Sequence, residues 1–213
     1  MGIATVLLVA DLVGVAVFAA SGGTAGVAKR LDVFGVVFVG FAAALGGGVL
    51  RDLVIDVVPP LAFADWRYSV TAAAASLLVF FLHPQFARIR RTVLLLDAAG
   101  LGLFTAAGTL KALDFGVPPV GAVILGMITG IGGGLLRDLL TGEIPVVLRR
   151  EIYAVASLLG AVVVAVGVRQ DAPDGPLLLT AAALTCLVRV IALRRGWSAP
   201  RARADLEPPP DQR

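Results

Sequence analysis

The stretch Gly46-Gly47-Gly48-Val49-Leu50-Arg51-Asp52-Leu53 returns 86 residues later as Gly132-Gly133-Gly134-Leu135-Leu136-Arg137-Asp138-Leu139, identical at seven of eight positions. Both copies lie in long apolar runs, so each sets an arginine and an aspartate at membrane depth, where insertion costs about 2.5–3.5 kcal/mol per charge. Glycine and leucine matches arise by chance in apolar sequence; two matched charges do not. The same shift aligns Asp11 with Asp97, Gly14 with Gly100, Phe18 with Phe104, Gly22 with Gly108, Gly40 with Gly126 and Pro59 with Pro145. Lys29-x-x-Asp32 meets Lys111-x-x-Asp114 only after a four-residue gap, so the repeat is locally edited.

The surrounding composition argues for lipid as part of the solvent. Of 213 residues, 58% are apolar and 15% charged, with mean hydropathy +0.93, whereas a soluble domain is about a quarter charged. One cysteine (Cys186) and one histidine (His83) exclude an internal disulfide, a cysteine metal cluster and a site built on several imidazoles. They also weaken any Ser-His-Asp reading, and neither HExxH nor GxSxG occurs, so an enzyme is not expected. No cofactor or metal is implied. The net charge of +3 is carried by short basic clusters between apolar runs. Such clusters set membrane orientation and do not form a nucleic-acid surface.

A spanning helix needs about 20 predominantly apolar residues, and seven candidates run 3–28, 33–58, 67–82, 92–110, 117–140, 151–168 and 177–193. This predicts an all-α integral membrane protein. Each repeat holds three spans, and an odd number starts the second copy on the opposite side of the bilayer. The organisation expected is therefore two inverted three-helix repeats, 1–86 and 87–172, a seventh transmembrane helix at 173–195, and a polar, proline-rich disordered tail at 196–213. No basic residue precedes the first run, which is too long for a signal peptide. With the N-terminus outside, twelve loop and tail Lys/Arg face the cytoplasm and three face out, while Arg51, Arg137 and Arg189 fall inside spans. That bias predicts a cytoplasmic C-terminus in a cell (inner) membrane.

Three consecutive glycines in a spanning helix cost about 0.8–1 kcal/mol each against alanine. Gly46, Gly47, Gly48, Gly132, Gly133 and Gly134 are accordingly candidate pore bends, where the backbone can kink or unwind and present carbonyls. Close packing is the competing account, and the one favoured for Gly22-x-x-x-Gly26, Gly126-x-x-x-Gly130 and Gly130-x-x-x-Gly134. Asp11, Arg51, Asp52, Asp97, Arg137 and Asp138 are candidate pore or gate charges, with helix-locking ion pairs as the alternative. Neighbouring helix residues point about 100° apart, which argues against a direct Arg51–Asp52 pair. Asp11 lies about 12 Å down the first span and Arg51 about 10 Å below the same surface, at 1.5 Å per residue, so these two are expected to meet, as are Asp97 and Arg137. Phe18 and Phe104 are candidate constrictions, more readily explained by packing. Asp56 and Asp65 are candidate attractors of cations at the surface, more readily explained as solvated loop charges. Glu143, Arg149, Arg150 and Glu151 mark an interface, Trp66 and Trp197 interfacial anchors, and Arg88, Arg90 and Arg91 a basic loop facing lipid headgroups.

Two three-helix units, each carrying GGGxLRDL in its second helix, followed by a seventh helix, resemble the bacterial relatives of the trimeric intracellular cation (TRIC) channels over roughly residues 3–193. The resemblance implies a homotrimer in lipid, each subunit with its own pore lined by the first, second, fourth and fifth helices and bent at the glycine triplets, conducting K⁺ and Na⁺. Animal members carry Lys-Glu-Val where this chain has Gly46 to Gly48, so their phosphoinositide regulation is not implied. Related bacterial sequences also bear a glycine-transporter label. The expected function is thus a monovalent cation channel, and the alternative is a carrier for a small zwitterion such as glycine.

Overall fold

The computed structural model describes residues 3–82, 89–149 and 152–197. Among them the helices are α1 (Ile3–Ala28), α2 (Val33–Val54), α3 (Leu61–Ala64), α4 (Trp66–Leu82), α5 (Ile89–Asp114), α6 (Pro119–Leu140), α7 (Val146–Arg149), α8 (Ile152–Arg169) and α9 (Asp174–Arg195). Six of these, α1, α2, α5, α6, α8 and α9, are long and apolar enough to cross a membrane. A helix of 22 residues, such as α2 or α6, reaches about 33 Å, close to the hydrocarbon thickness. The third expected span is the shorter apolar helix α4, whose 17 residues reach about 26 Å. His83, Arg88, Arg150, Glu151 and the expected tail beyond Trp197 lie outside the described residues.

Helix ends explain where the expected boundaries shift. Asp32 caps α2, its carboxylate accepting from the Gly35 amide at 2.8 Å, and Pro119 starts α6 where a missing N–H costs nothing. The second span was expected to reach Val58, but α2 stops at Val54 in a turn that sends the Val57 N–H back to the Asp52 carbonyl at 2.8 Å. Asp56 occupies the left-handed position of that turn, with φ 59°. The end of α6 repeats the geometry: the Glu143 N–H donates to the Asp138 carbonyl at 2.8 Å, around Gly142 at φ 68°. Both are the double hydrogen-bond closure that satisfies a helix's last carbonyls. Each is followed by a one-turn helix, α3 or α7, that the sequence did not suggest.

The centre of the molecule is formed by α1, α2, α5 and α6. In it α1 packs on α2 and α5, and α6 packs on α5 and α2. Helix α4 covers α1 and α2, α8 covers α5 and α6, and α9 lies along α5 and α8. Phe18 and Phe104 stack between α1 and α5, with ring centroids 5.3 Å apart. Each ring sits against the other helix's glycine, Phe104 on Gly14 and Phe18 on Gly100.

The glycine triplets depart from the unwound backbone considered for them. Both α2 and α6 are helical throughout, so no turn of free carbonyls forms there. A Cβ on Gly47 would overlap the Thr129 carbonyl and one on Gly133 the Ala43 carbonyl, while Gly132 faces the Gly47 backbone directly. Gly47, Gly132 and Gly133 therefore let α2 and α6 approach backbone to backbone, Gly46 makes room for the Leu136 side chain, and these contacts offset the propensity cost of the glycines. The spaced glycines serve other helix pairs: Gly22 meets the Gly40 backbone between α1 and α2, and Gly126 makes room for the Thr109 hydroxyl between α6 and α5.

Candidate functional site

The third glycine of each triplet faces something else. Gly48 has only an Arg51 guanidinium nitrogen within reach of a would-be Cβ, at 3.9 Å, and Gly134 has Asp97 Oδ1 and the Tyr153 hydroxyl, both at 2.8 Å. Each opens onto one of two buried charge clusters built on the repeated motif.

In the first cluster Arg51, 2% exposed, lies with Nη2 3.6 Å from Asp11 Oδ2, the contact that helix depth anticipated. Its Nε also donates to Asp52 Oδ1 at 3.0 Å. Arg51 and Asp52 therefore do pair, against the expectation from their Cβ directions, because a guanidinium on a three-carbon stem folds back along its own helix. Asp52 uses every side of its carboxylate. Oδ1 also accepts from Lys111 Nζ at 2.8 Å, and Oδ2 accepts the Leu61 N–H of α3 at 2.9 Å. Tyr68 from α4 donates to Asp11 Oδ2 at 3.3 Å.

The second cluster restates this with other helices. Arg137 donates from Nη1 to Asp97 Oδ1 at 2.7 Å and from Nε to Asp138 Oδ1 at 2.9 Å. Asp138 Oδ2 accepts the Val146 N–H of α7 at 2.9 Å, and Tyr153 of α8 donates to Asp97 Oδ1 at 3.2 Å. Adjacent Arg and Asp are needed because the aspartate does two jobs, holding the arginine and anchoring the one-turn helix that follows the motif.

The clusters occupy opposite ends of the central bundle. Arg51 lies near the end of α2 and is joined through Asp52 to Lys111 near the end of α5. Arg137 lies near the end of α6 and donates to Ser21 Oγ of α1 at 2.7 Å. At that same end, Lys29 pairs with Glu143 across exposed loops, which gives Glu143 a partner the sequence did not supply. Asp11 Oδ1 and Asp97 Oδ2 are buried and find no hydrogen-bond donor among the described residues. A small cavity, of the order of one water molecule, is bounded by Asp11, Gly48, Arg51, Tyr68 and Phe104.

Four residues of these clusters were missed as such. Lys111, one of the three outward-facing loop charges expected from the sequence, is 6% exposed and inside α5. Tyr68 and Tyr153 are the chain's two tyrosines, and their matching roles were hidden because they stand 85 residues apart, one off the repeat shift. Ser21 carries no signal, since its counterpart is Ala107. Asp56 is exposed in its turn and belongs to neither cluster. Asp65 clasps Arg67, whose hydrogen bonds hold the carboxyl below the usual range. Trp66 is exposed, as an interfacial anchor would be.

A family model described as "Glycine transporter" matches the chain twice, over residues 8–84 and 94–169; the second match begins 86 residues after the first. Among solved structures, a TRIC trimeric intracellular cation channel orthologue from Rhodobacter sphaeroides superposes with a TM-score of 0.87 at 36% identity, covering 91% of this chain and 100% of that one. The chain belongs to the TRIC family. A second solved structure, reported for conductance through TRIC cation channels, gives a TM-score of 0.81 at 34% identity and covers 91% and 95% of the two chains. The UPF0126 inner membrane protein YadS of Escherichia coli is 39% identical over 86% of this chain and 90% of its own. A UPF0126 membrane protein of Streptomyces coelicolor is 45% identical over 91% and 89%. This TRIC-family chain is an integral membrane protein, all-helical among its described residues and built like cation channels.

Proposed function

We propose that the chain is a monovalent cation channel conducting K⁺ and Na⁺, with a path inside each subunit along α1, α2, α5 and α6. The observation that carries this reading is the pair of buried Arg-Asp-Asp-Tyr clusters at opposite ends of one four-helix centre, in a chain folded like TRIC channels. A lumen bounded by fixed carboxylates, with helices able to bend at Gly48 and Gly134 without leaving helical geometry, gives a cation polar partners along its route. Phe18 and Phe104, between the clusters, are the constriction of this path. Asp56, at the mouth, raises local cation concentration. We take the halves as inverted-topology repeats plus a seventh helix, with the N-terminus outside, the C-terminus cytoplasmic, and a homotrimer in the lipid of the inner membrane.

A carrier for a small zwitterion is the second reading, favoured by the glycine-transporter description of the matching family. Purified protein in planar bilayers under a KCl gradient separates the two. Discrete current steps with a cation-selective reversal potential support the channel. Saturable glycine flux without such steps replaces it with the carrier.

A further inference from the structure

The two clusters are not charged alike by the repeat alone. In the first, two carboxylates (Asp11, Asp52) face Arg51 and Lys111, which balances. In the second, Asp97 and Asp138 face Arg137, while Lys29, the counterpart of Lys111 after the four-residue gap, is drawn outward to Glu143. A second cation nevertheless stands behind this cluster, and it comes from outside the repeats. Arg189 of α9 is 1% exposed, and its guanidinium carbon lies 4.8 Å from the centroid of the Tyr153 ring. Tyr153 in turn donates to Asp97, the carboxylate that holds Arg137. No cation of the described residues lies over the ring of Tyr68, its counterpart.

A guanidinium on the face of a buried tyrosine does two things. It fixes the ring plane, because the attraction depends on the cation facing the π-cloud. It also places positive charge over the ring whose hydroxyl donates to Asp97, so the excess negative charge of the cluster is countered in a low-dielectric setting. Burying an arginine in lipid-spanning helices is expensive, and packing alone would be served by leucine. We propose that Arg189 is a positioning residue of the Arg137 cluster: from α9 it holds Tyr153 against Asp97 and so biases one end of the conduction path and not the other. The effect on conduction rests on the channel reading; the positioning itself does not.

The test uses the full chain labelled with 3-fluorotyrosine, which carries two ¹⁹F resonances because there are two tyrosines. Variants Y68F and Y153F assign them. In both R189K and R189Q the Tyr153 resonance is expected to move and that of Tyr68 to stay; an unmoved Tyr153 resonance overturns the proposal. Where R189Q does not fold, R189K, which keeps charge and length but loses the planar face, carries the measurement. Bilayer recordings of the same proteins should show the open-closed equilibrium shifted by about tenfold, within the range usual for coupled sites, at unchanged unit conductance. Y153F should produce a like shift, and R189K combined with Y153F no more than Y153F alone. Additive shifts, or R189K currents identical to wild type, overturn the bias on conduction. Absence of current in the wild type rejects the channel reading instead, and the resonances still decide the positioning.

Discussion

Replacing the third glycine of each triplet by alanine should have opposite effects in the two halves. At Gly48 the new methyl meets only a guanidinium nitrogen at 3.9 Å, ordinary contact distance. The substitution then removes a helix-interior glycine and gains about 0.8–1 kcal/mol. At Gly134 the methyl lands 2.8 Å from both Asp97 Oδ1 and the Tyr153 hydroxyl, which are themselves hydrogen-bonded. Something must move. Forced overpacking costs about 1–3 kcal/mol, and loss of a hydrogen bond to a charged group about 1.5–3; against these stands the same propensity gain. The net expectation is a loss of about 2 kcal/mol or more for Gly134→Ala, and so a gap of about 3 kcal/mol between variants. For a chain of this size each kcal/mol is worth about 2–4 °C in Tm. Thermal unfolding in detergent, followed by size-exclusion chromatography, should place Gly48→Ala slightly above wild type and Gly134→Ala about 4 °C or more below it. Equal shifts of one sign in both variants would refute the claim that the third glycine makes room for the charged cluster in one half and not in the other.

Arg137→Gln alone should cost about 3–5 kcal/mol, as removal of one buried partner does, and adding Asp97→Asn should recover much of it. The coupling measured by that cycle should exceed the one for Arg51 and Asp11, because the contacts are 2.7 and 3.6 Å; equal or reversed couplings in thermal cycles would count against the geometry. Lys111→Met, which strips a buried cation from Asp52, should be destabilising by about 3 kcal/mol, whereas Lys29→Met, on an exposed pair, should stay within about 0.5. Phe104→Ala should cost about 3–5 kcal/mol through the cavity it leaves, and single-channel conductance should rise in whatever protein survives. Normal conductance there would reduce the stacked pair to packing.

What the sequence disclosed and what it hid follow from the same physics. The bilayer fixes helix length and the helix fixes rise per residue, so six of the seven expected spans were legible to within a few residues, the third being the shorter helix α4, and depth arithmetic alone brought Asp11 to Arg51. The rule on neighbouring side chains failed at Arg51 and Asp52 because it follows Cβ directions, and a long guanidinium side chain does not stay on its Cβ vector. The short helices α3 and α7 left no periodic signal, and the tyrosines that follow them are displaced by one residue from the 86-residue shift. Lys111 was hidden by position: a charge in the last turn of a helix looks like a loop charge until Asp52 is placed opposite it.

These failures share a cause that bears on function. Everything carried by the repeat as a copy, the glycines, the arginines and the paired aspartates, could be found by shifting the chain against itself. The residues that shift could not reveal include those in which the two clusters differ, Lys111 at one end and Ser21 and Arg189 at the other. A duplicated frame with no further demand on it would leave the ends chemically equal. Here each end has recruited its second cation from a different helix, a lysine on α5 for Asp52 and an arginine on α9 over the ring of Tyr153. In the proposed path the two ends meet different solutions and opposite sides of the same potential, so it is in the uncopied residues that a direction-dependent response would be written.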